Sequence, residues 1–435
     1  MKLLLMALIC MVLVFVRCGY MGMALRRMNL SEIQKTYPSM SIDREINTEK
    51  CYTIYGRIKS VGRISHNIAV AAISYRYGKQ EIVGKAFACN EGFYSLVLPV
   101  GQYQLFAFAD VNNDSLFTQK ECAGFFLEKS PLIEIDSSST TIKRYDISVS
   151  DRHVFTIDQP VSIRLPDTYH CSPSHYYPPG AVRSLDDTIF SDKVAELGIY
   201  NPSEFLDNAG IYFYALQERN LRKTPVLFVP GYGGSPREFE KIISELDSSR
   251  FDFWFFYYPG AQSLSKSASI LYEIFFSGNI IKLRGRKLYI IAHSMGGLVA
   301  RQALNLYSRK QNRTAPVEFI SLCTPYGGIE SAKDPFFDVS VMLPSWRQLA
   351  AESGFLDSLH SSRLAPSIQF YLFFGFKNPA IIKFSETSDG TVKLKNQLPY
   401  TIQDQADEIR GFNETHESIL TSDECIERVT QILNE

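Results

Sequence analysis

The sequence predicts an α/β domain, a mostly parallel sheet flanked by helices, preceded by a small all-β sandwich. Two observations carry the α/β part. Strand and helix patterns alternate from Thr224 to the C-terminus, and one buried strand, Leu288-Tyr-Ile-Ile-Ala292, runs straight into the small-residue turn His293-Ser-Met-Gly-Gly297. A third observation carries the β part: short alternating strands such as Tyr52-Thr-Ile-Tyr-Gly-Arg-Ile58 and Ile68-Ala-Val-Ala-Ala-Ile-Ser-Tyr75 are separated by turn residues. The 435 residues are 45% hydrophobic and 21% charged, enough for at least two cores. A net charge of −1 without a basic cluster argues against a nucleic-acid partner.

The elements divide the chain at residues 1–18, 19–48, 49–150, 151–220 and 221–435. In the first, Lys2 precedes an apolar run of signal-peptide length, short for a membrane span. Cys18 followed by Gly19 resembles a bacterial lipoprotein cleavage site, which implies a lipid on Cys18; Arg17 stands where a small residue is usual. A plain cleaved signal and a retained membrane anchor stay open. All three readings expect export, to the cell envelope (periplasmic or membrane-anchored) or to the medium, with membrane association through the N-terminus. Residues 19–48 read as a linker. Cys51, Cys89 and Cys122 share one segment, so a disulfide between two of them is expected; Cys171, Cys323 and Cys425 complete the set after Cys18.

Residues 49–150 form the sandwich, in which Phe93 to Asp110 reads as a hairpin bending at Pro99-Val-Gly101. The segment resembles the transthyretin-like or carboxypeptidase-regulatory-like sandwiches of exported proteins. After it comes Asp110-Val-Asn-Asn-Asp-Ser-Leu-Phe-Thr-Gln-Lys-Glu121. Oxygen donors at Asp110, Asn112, Asp114 and Glu121 match a calcium loop, although Ser115 stands where the sharp turn wants glycine. An Asx-turn that needs no metal is the alternative. Residues 151–220 read as a connector: His170, Cys171 and His175 lie in a proline-rich loop, and a helix is expected over Phe205–Glu218.

The α/β part holds the chemistry. A serine on a strained strand-to-helix turn has its hydroxyl exposed, with helix N-terminal N–H groups behind it. Ala292-His-Ser-Met-Gly296 resembles the nucleophile elbow of the α/β-hydrolases, with alanine in place of the first glycine of Gly-x-Ser-x-Gly. Thr224-Pro-Val-Leu-Phe-Val-Pro-Gly-Tyr-Gly-Gly-Ser235 is a strand ending in a glycine-rich loop. By that resemblance the oxyanion donors are the backbone N–H of Tyr232 (or its neighbour Gly233) and that of Met295, and Pro230 replaces a histidine.

A serine nucleophile needs a base, and the base an acid to orient its tautomer. In this family the order is Ser, then Asp or Glu, then His, and only His360 and His416 follow Ser294. His416, in a polar loop before the terminal helix, resembles the family's base; His360 is the alternative. Asp389, in Ser388-Asp-Gly-Thr-Val392, resembles the acid-bearing turn of many bacterial lipases, with Glu386, Asp404 and Asp407 as alternatives. Cys323 reads as a buried core thiol and His293 as a packing residue. Residues 330–365, apolar through Phe336, Phe337, Met342, Leu343 and Trp346, read as a lid over an acyl site, or else as core helix.

The resemblance, which covers residues 221–435, implies a lipase- or esterase-like serine hydrolase acting on acyl or lipid esters. Ser294, Asp389 and His416 would be catalytic and no cofactor would be required. Acyl transfer by the same triad, and a surface binding protein with an inactive hydrolase part, are the alternatives.

Overall fold

The computed structural model describes residues 51–435 except 62–66, 77–78, 89–91, 127–131, 137–142, 151–159, 166–180, 210–211, 279, 311–314, 331–342 and 379–385. The signal or lipoprotein segment with Cys18, the connector residues His170, Cys171 and His175, and residues 331–342 of the expected lid lie outside the described residues.

Ten strands build the β-rich part in chain order: β1 (Cys51–Val61), β2 (Ile68–Arg76), β3 (Lys79–Ala88), β4 (Phe93–Pro99), β5 (Gly101–Ala109), β6 (Leu116–Thr118), β7 (Cys122–Phe125), β8 (Ile133–Ile135), β9 (Lys143–Arg144) and β10 (Ile147–Ser150). The main sheet runs β3-β2-β5-β7-β10-β1-β4. Two long strands change partners along their length. β1 pairs with β4 over Cys51–Arg57 and with β10 over Ile58–Val61, while β5 pairs with β8 at its start and with β2 and β7 beyond it. Such strands make the corners of a sandwich.

The expected hairpin is not formed. β4 pairs with β1 and β5 with β2, so Pro99-Val-Gly101 arches the chain from one layer to the other. Tyr94, Leu96 and Leu98 of β4 and Tyr103, Leu105 and Ala107 of β5 are all buried in one core, which facing layers allow. Each of the buried leucines contributes ~1.5–3 kcal/mol. β11 (Ser162–Arg164), in the segment read as connector, pairs with β6, and Ile163 packs on Phe108 and Phe117. Cys323 and Cys425 are buried free thiols; Cys122 is buried with its Sγ 3.7 Å from the Gly124 carbonyl oxygen, and Cys89 lies outside the described residues.

The second sheet has eight strands: β12 (Ala181–Val182), β13 (Phe213–Ala215), β14 (Thr224–Val229), β15 (Phe251–Phe256), β16 (Leu288–His293), β17 (Val317–Leu322), β18 (Ile368–Gly375) and β19 (Glu408–Phe412). Their order is β12-β13-β15-β14-β16-β17-β18-β19, and every neighbouring pair is parallel except β13 with β15. Every residue of β15, β16 and β17 is buried, as expected of strands covered on both faces.

The covering helices are α1 (Asp192–Tyr200), α2 (Pro202–Ala209), α3 (Glu240–Ser244), α4 (Leu264–Phe275), α5 (Met295–Ser308), α6 (Pro344–Leu349), α7 (Gly354–His360), α8 (Leu394–Gln397), α9 (Tyr400–Gln403) and α10 (Asp423–Asn434). The helix expected over Phe205–Glu218 ends at Ala209. The aromatic run Phe213-Tyr-Ala215 is instead a strand, because it can pair with β15 and bury all three side chains. The order of strands reverses around β14, so a site belongs at the carboxyl ends of β14 and β16. No described helix is long and apolar enough to cross a membrane.

Candidate active site

β16 ends at His293 and α5 starts at Met295, so the chain turns across Ser294 alone, at φ 52° and ψ −128°. That left-handed backbone is costly for a side-chain-bearing residue and survives only where packing enforces it. The enforcement comes from two glycines. A Cβ on Gly296 would meet the Val229 carbonyl oxygen at 2.3 Å, and one on Gly297 the Thr324 hydroxyl at 1.8 Å. α5 therefore begins tight against β14, and its first N–H groups, Met295's foremost, lack intrahelical acceptors.

His416 lies in the loop after β19. Its Nε2 is 2.8 Å from Ser294 Oγ and its Nδ1 is 2.7 Å from Asp389 Oδ2. Asp389 is fully buried. Its Oδ1 accepts from the N–H groups of Thr391 (2.8 Å) and Val392 (2.7 Å), and its carbonyl accepts from His416 N–H at 2.8 Å. One carboxylate oxygen is thus fixed to its own turn and the other is directed at the imidazole. The turn is tied to β18 by Gln397, whose Nε2 donates to the carbonyls of Gly375 (2.9 Å) and Val392 (3.2 Å) while its Oε1 accepts from Gly375 N–H.

The alternatives are engaged elsewhere. His360 Nε2 faces the Tyr326 carbonyl at 2.8 Å, and burial, the largest influence, holds its pKa below the ordinary value. Asp407 accepts from Phe370 N–H, Glu386 pairs with Lys393 and Lys395, and Asp404 is exposed beyond α9.

The loop after β14 passes over the serine, and a Cβ on Gly231 would lie 3.0 Å from Ser294 Cβ. Tyr232 follows directly, and Gly234 N–H donates back to Gly231 O at 3.2 Å. The Tyr232 ring packs against Trp346 with centroids 6.0 Å apart, beside buried Leu343 and Ala261. This places α6 of the expected lid next to the candidate oxyanion loop. α7 is different: Phe355, Leu356 and Leu359 belong to the main core, so 354–360 is core helix.

Sequence reasoning missed Glu238 and Gln397 here, and missed the contacts of His293 and Cys323 with the site. Glu238 Oε1 accepts from Gly231 N–H at 3.2 Å and lies 3.1 Å from His293 Nδ1, while His293 Nε2 lies 2.8 Å from the His416 carbonyl. Cys323, read only as core, touches the Asp389 side: its sulfur, an Asp389 oxygen and a His416 nitrogen lie within 4.8 Å of one another. Gln397 carried no signal at all, since a buried amide looks like any surface glutamine in sequence.

Asp110, Asn112, Asp114 and Glu121, the expected calcium donors, share one hydrogen-bonded loop, with Asn112 Nδ2 donating to Asp114 Oδ2 at 2.9 Å. Asp110 accepts from Asp114 and Ser115 N–H, Asn112 from Asp114 N–H, Asp114 from Leu116 N–H, and Glu121 from Val111 and Thr118 N–H. The loop closes as an Asx-turn, with Ser115 at φ 61° where a glycine was wanted.

A sequence model of the family described as alpha/beta hydrolase fold matches residues 224–380. No curated protein matches the chain in sequence. Among solved structures, the mature lipase BlEst2 of Bacillus licheniformis is 20% identical, with 51% of this chain and 97% of that one covered at a TM-score of 0.37. Lipase B of Aspergillus fumigatus is 14% identical over 55% and 59% at 0.38. Phospholipase PlaB of Legionella pneumophila is 15% identical over 40% and 45% at 0.33. With the family match on the strand that carries Ser294, and with that sheet order and parallel pairing, the C-terminal part of this chain has the alpha/beta hydrolase fold.

Proposed function

We propose that this protein is a serine hydrolase that cleaves carboxylic esters, of lipids or other acylated compounds, through an acyl-enzyme. One observation carries the reading: the unbroken hydrogen-bond chain from Asp389 Oδ2 through His416 to Ser294 Oγ. Ser294 Oγ attacks the acyl carbon while His416 Nε2 takes its proton. The carbonyl oxygen becomes an oxyanion held by the N–H groups of Met295 and Tyr232. Collapse breaks the ester C–O bond, and His416 returns the proton to the departing alcohol. Water, deprotonated by the same nitrogen, then attacks the acyl-enzyme and releases the acid. Asp389 keeps the proton on Nδ1, so that Nε2 is free to accept. No group beyond these side chains and N–H groups is needed for that sequence.

The apolar wall of Tyr232, Leu343 and Trp346 beside the oxyanion loop supports an acyl substrate. The apolar N-terminus supports export and attachment to the cell envelope. Turnover of p-nitrophenyl esters by the purified protein, beside Ser294→Ala, tests the reading. Hydrolysis lost in the variant is expected; equal turnover by both would overturn it. Fractionation of cells with a globomycin-sensitive shift in mass tests the lipid on Cys18.

A further inference from the structure

His293 sits between two acceptors. Its Nδ1 lies 3.1 Å from Glu238 Oε1 and its Nε2 lies 2.8 Å from the carbonyl oxygen of His416. A carbonyl has no proton to give, so Nε2 must carry one. Glu238 Oε1 already acts as an acceptor, taking the Gly231 N–H at 3.2 Å, so Nδ1 is the group placed to donate on that side. A neutral ring would leave one nitrogen lone pair facing an oxygen lone pair in a buried place, where His293 is only 6% exposed.

The three segments joined by this ring are those of the proposed chemistry. His293 precedes Ser294, Gly231 precedes Tyr232, and the His416 carbonyl belongs to the base itself. A single ring thus ties the serine turn, the oxyanion loop and the base loop together.

We propose that His293 is held as an imidazolium by Glu238 and that the pair positions the oxyanion loop and His416 for catalysis. This rests on the hydrolase reading above. Neither residue touches the reacting atoms, so both are positioning residues.

The charged and titratable groups facing the ring are Glu238 from the turn after β14, and Asp389 and His416 from the loops after β18 and β19. The His293 and His416 ring centroids are 4.9 Å apart. The Tyr258 hydroxyl donates to the Pro230 carbonyl of the same loop at 3.0 Å. Arg237, next to Glu238, points away and donates to the carbonyls of Leu185, Asp186 and Asp187. Burial disfavours the charged ring, but the Glu238 hydrogen bond and charge, with the His416 carbonyl and the Asp389 charge, raise its pKa above the ordinary 6.5. The sign follows from that direction. The bonded imidazolium is fully present below 6.5 and is lost as pH rises through the higher folded value.

The test combines ring-proton detection with kinetics. Protein labelled with 15N-histidine is titrated by NMR, the His293 signal being assigned by its absence in His293→Gln. Protons on both ring nitrogens at about pH 7, above the ordinary histidine range, are expected. Glu238→Gln, which keeps size and hydrogen-bonding oxygen but removes the charge, should drive the midpoint down to or below 6.5. In the same variant kcat measured at about pH 8 should fall on the order of tenfold to a hundredfold, with KM within about twofold. The alkaline decline of kcat should move down together with the NMR midpoint.

A neutral His293 ring in the wild type at about pH 7 would overturn the proposal. So would an alkaline limb that ignores Glu238→Gln while the ring midpoint moves. If wild-type protein shows no Ser294-dependent turnover, the hydrolase reading fails and the positioning role with it, whereas the ring-proton result still decides whether the imidazolium exists.

Discussion

The thiol of Cys323 lies against the carboxylate of Asp389, fully buried behind the ends of β17 and β18. Burial and then the Asp389 charge push the Cys323 thiol far above the ordinary range. Burial, the largest influence, pushes Cys425 up to about 12. Both therefore stay protonated and unreactive at any working pH, since the thiolate is the nucleophile. Iodoacetamide at about pH 8 should leave both unmodified in the folded protein and modify both in urea, as read by peptide mass spectrometry. Modification of Cys323 in the folded protein would contradict the packing described.

Asp389→Asn keeps the shape of the turn but presents an amide to His416 Nδ1. The imidazole can then settle in the tautomer that has no lone pair for the serine. We expect kcat on a p-nitrophenyl ester to fall by about 10⁴-fold with the fold intact. A fall of less than tenfold would move the acid role to another carboxylate.

Gln397 holds the acid turn to β18 by three hydrogen bonds from a fully buried amide. Gln397→Ala removes the side-chain donor to the Gly375 carbonyl and the acceptor of Gly375 N–H, and leaves the Val392 carbonyl to Asp389 N–H. Urea unfolding should show a loss of about 1–3 kcal/mol, accompanied by a lower kcat. Unchanged stability would mean that the turn holds itself.

A methyl group at position 297 would occupy the space of the Thr324 side chain, 1.8 Å from its hydroxyl and 2.8 Å from its Cβ. Gly297→Ala should therefore cost about 1–3 kcal/mol and displace the start of α5, lowering kcat. The double variant Gly297→Ala, Thr324→Ala should recover part of both losses. No recovery would show that the clash is not with Thr324.

Much of this was legible in the sequence because the sheet strands are short apolar runs with turn residues at their ends. The serine turn declared itself through Ala292, Gly296 and Gly297, whose smallness has a steric cause that the structure displays. Ser294, Asp389 and His416 come together in the order read from the chain. What was not legible was pairing at a distance. Pro99-Val-Gly101 looks the same in an arch as in a hairpin, because the local turn does not say which strand lies alongside. The run at Phe213 became a strand only because β15 offered an edge. Glu238 and His293 lie 55 residues apart, and nothing local marks either as the other's partner. In the Asp110 to Glu121 loop the oxygens accept from backbone N–H groups of the loop itself, a use that the sequence pattern does not distinguish from metal ligation.

The most direct measurement of the central claim is labelling of the purified protein with a fluorophosphonate probe, wild type beside Ser294→Ala. The account predicts a single adduct on Ser294 in the wild type and none in the variant. Absence of labelling in well-folded wild type, or equal labelling of both proteins, would contradict it.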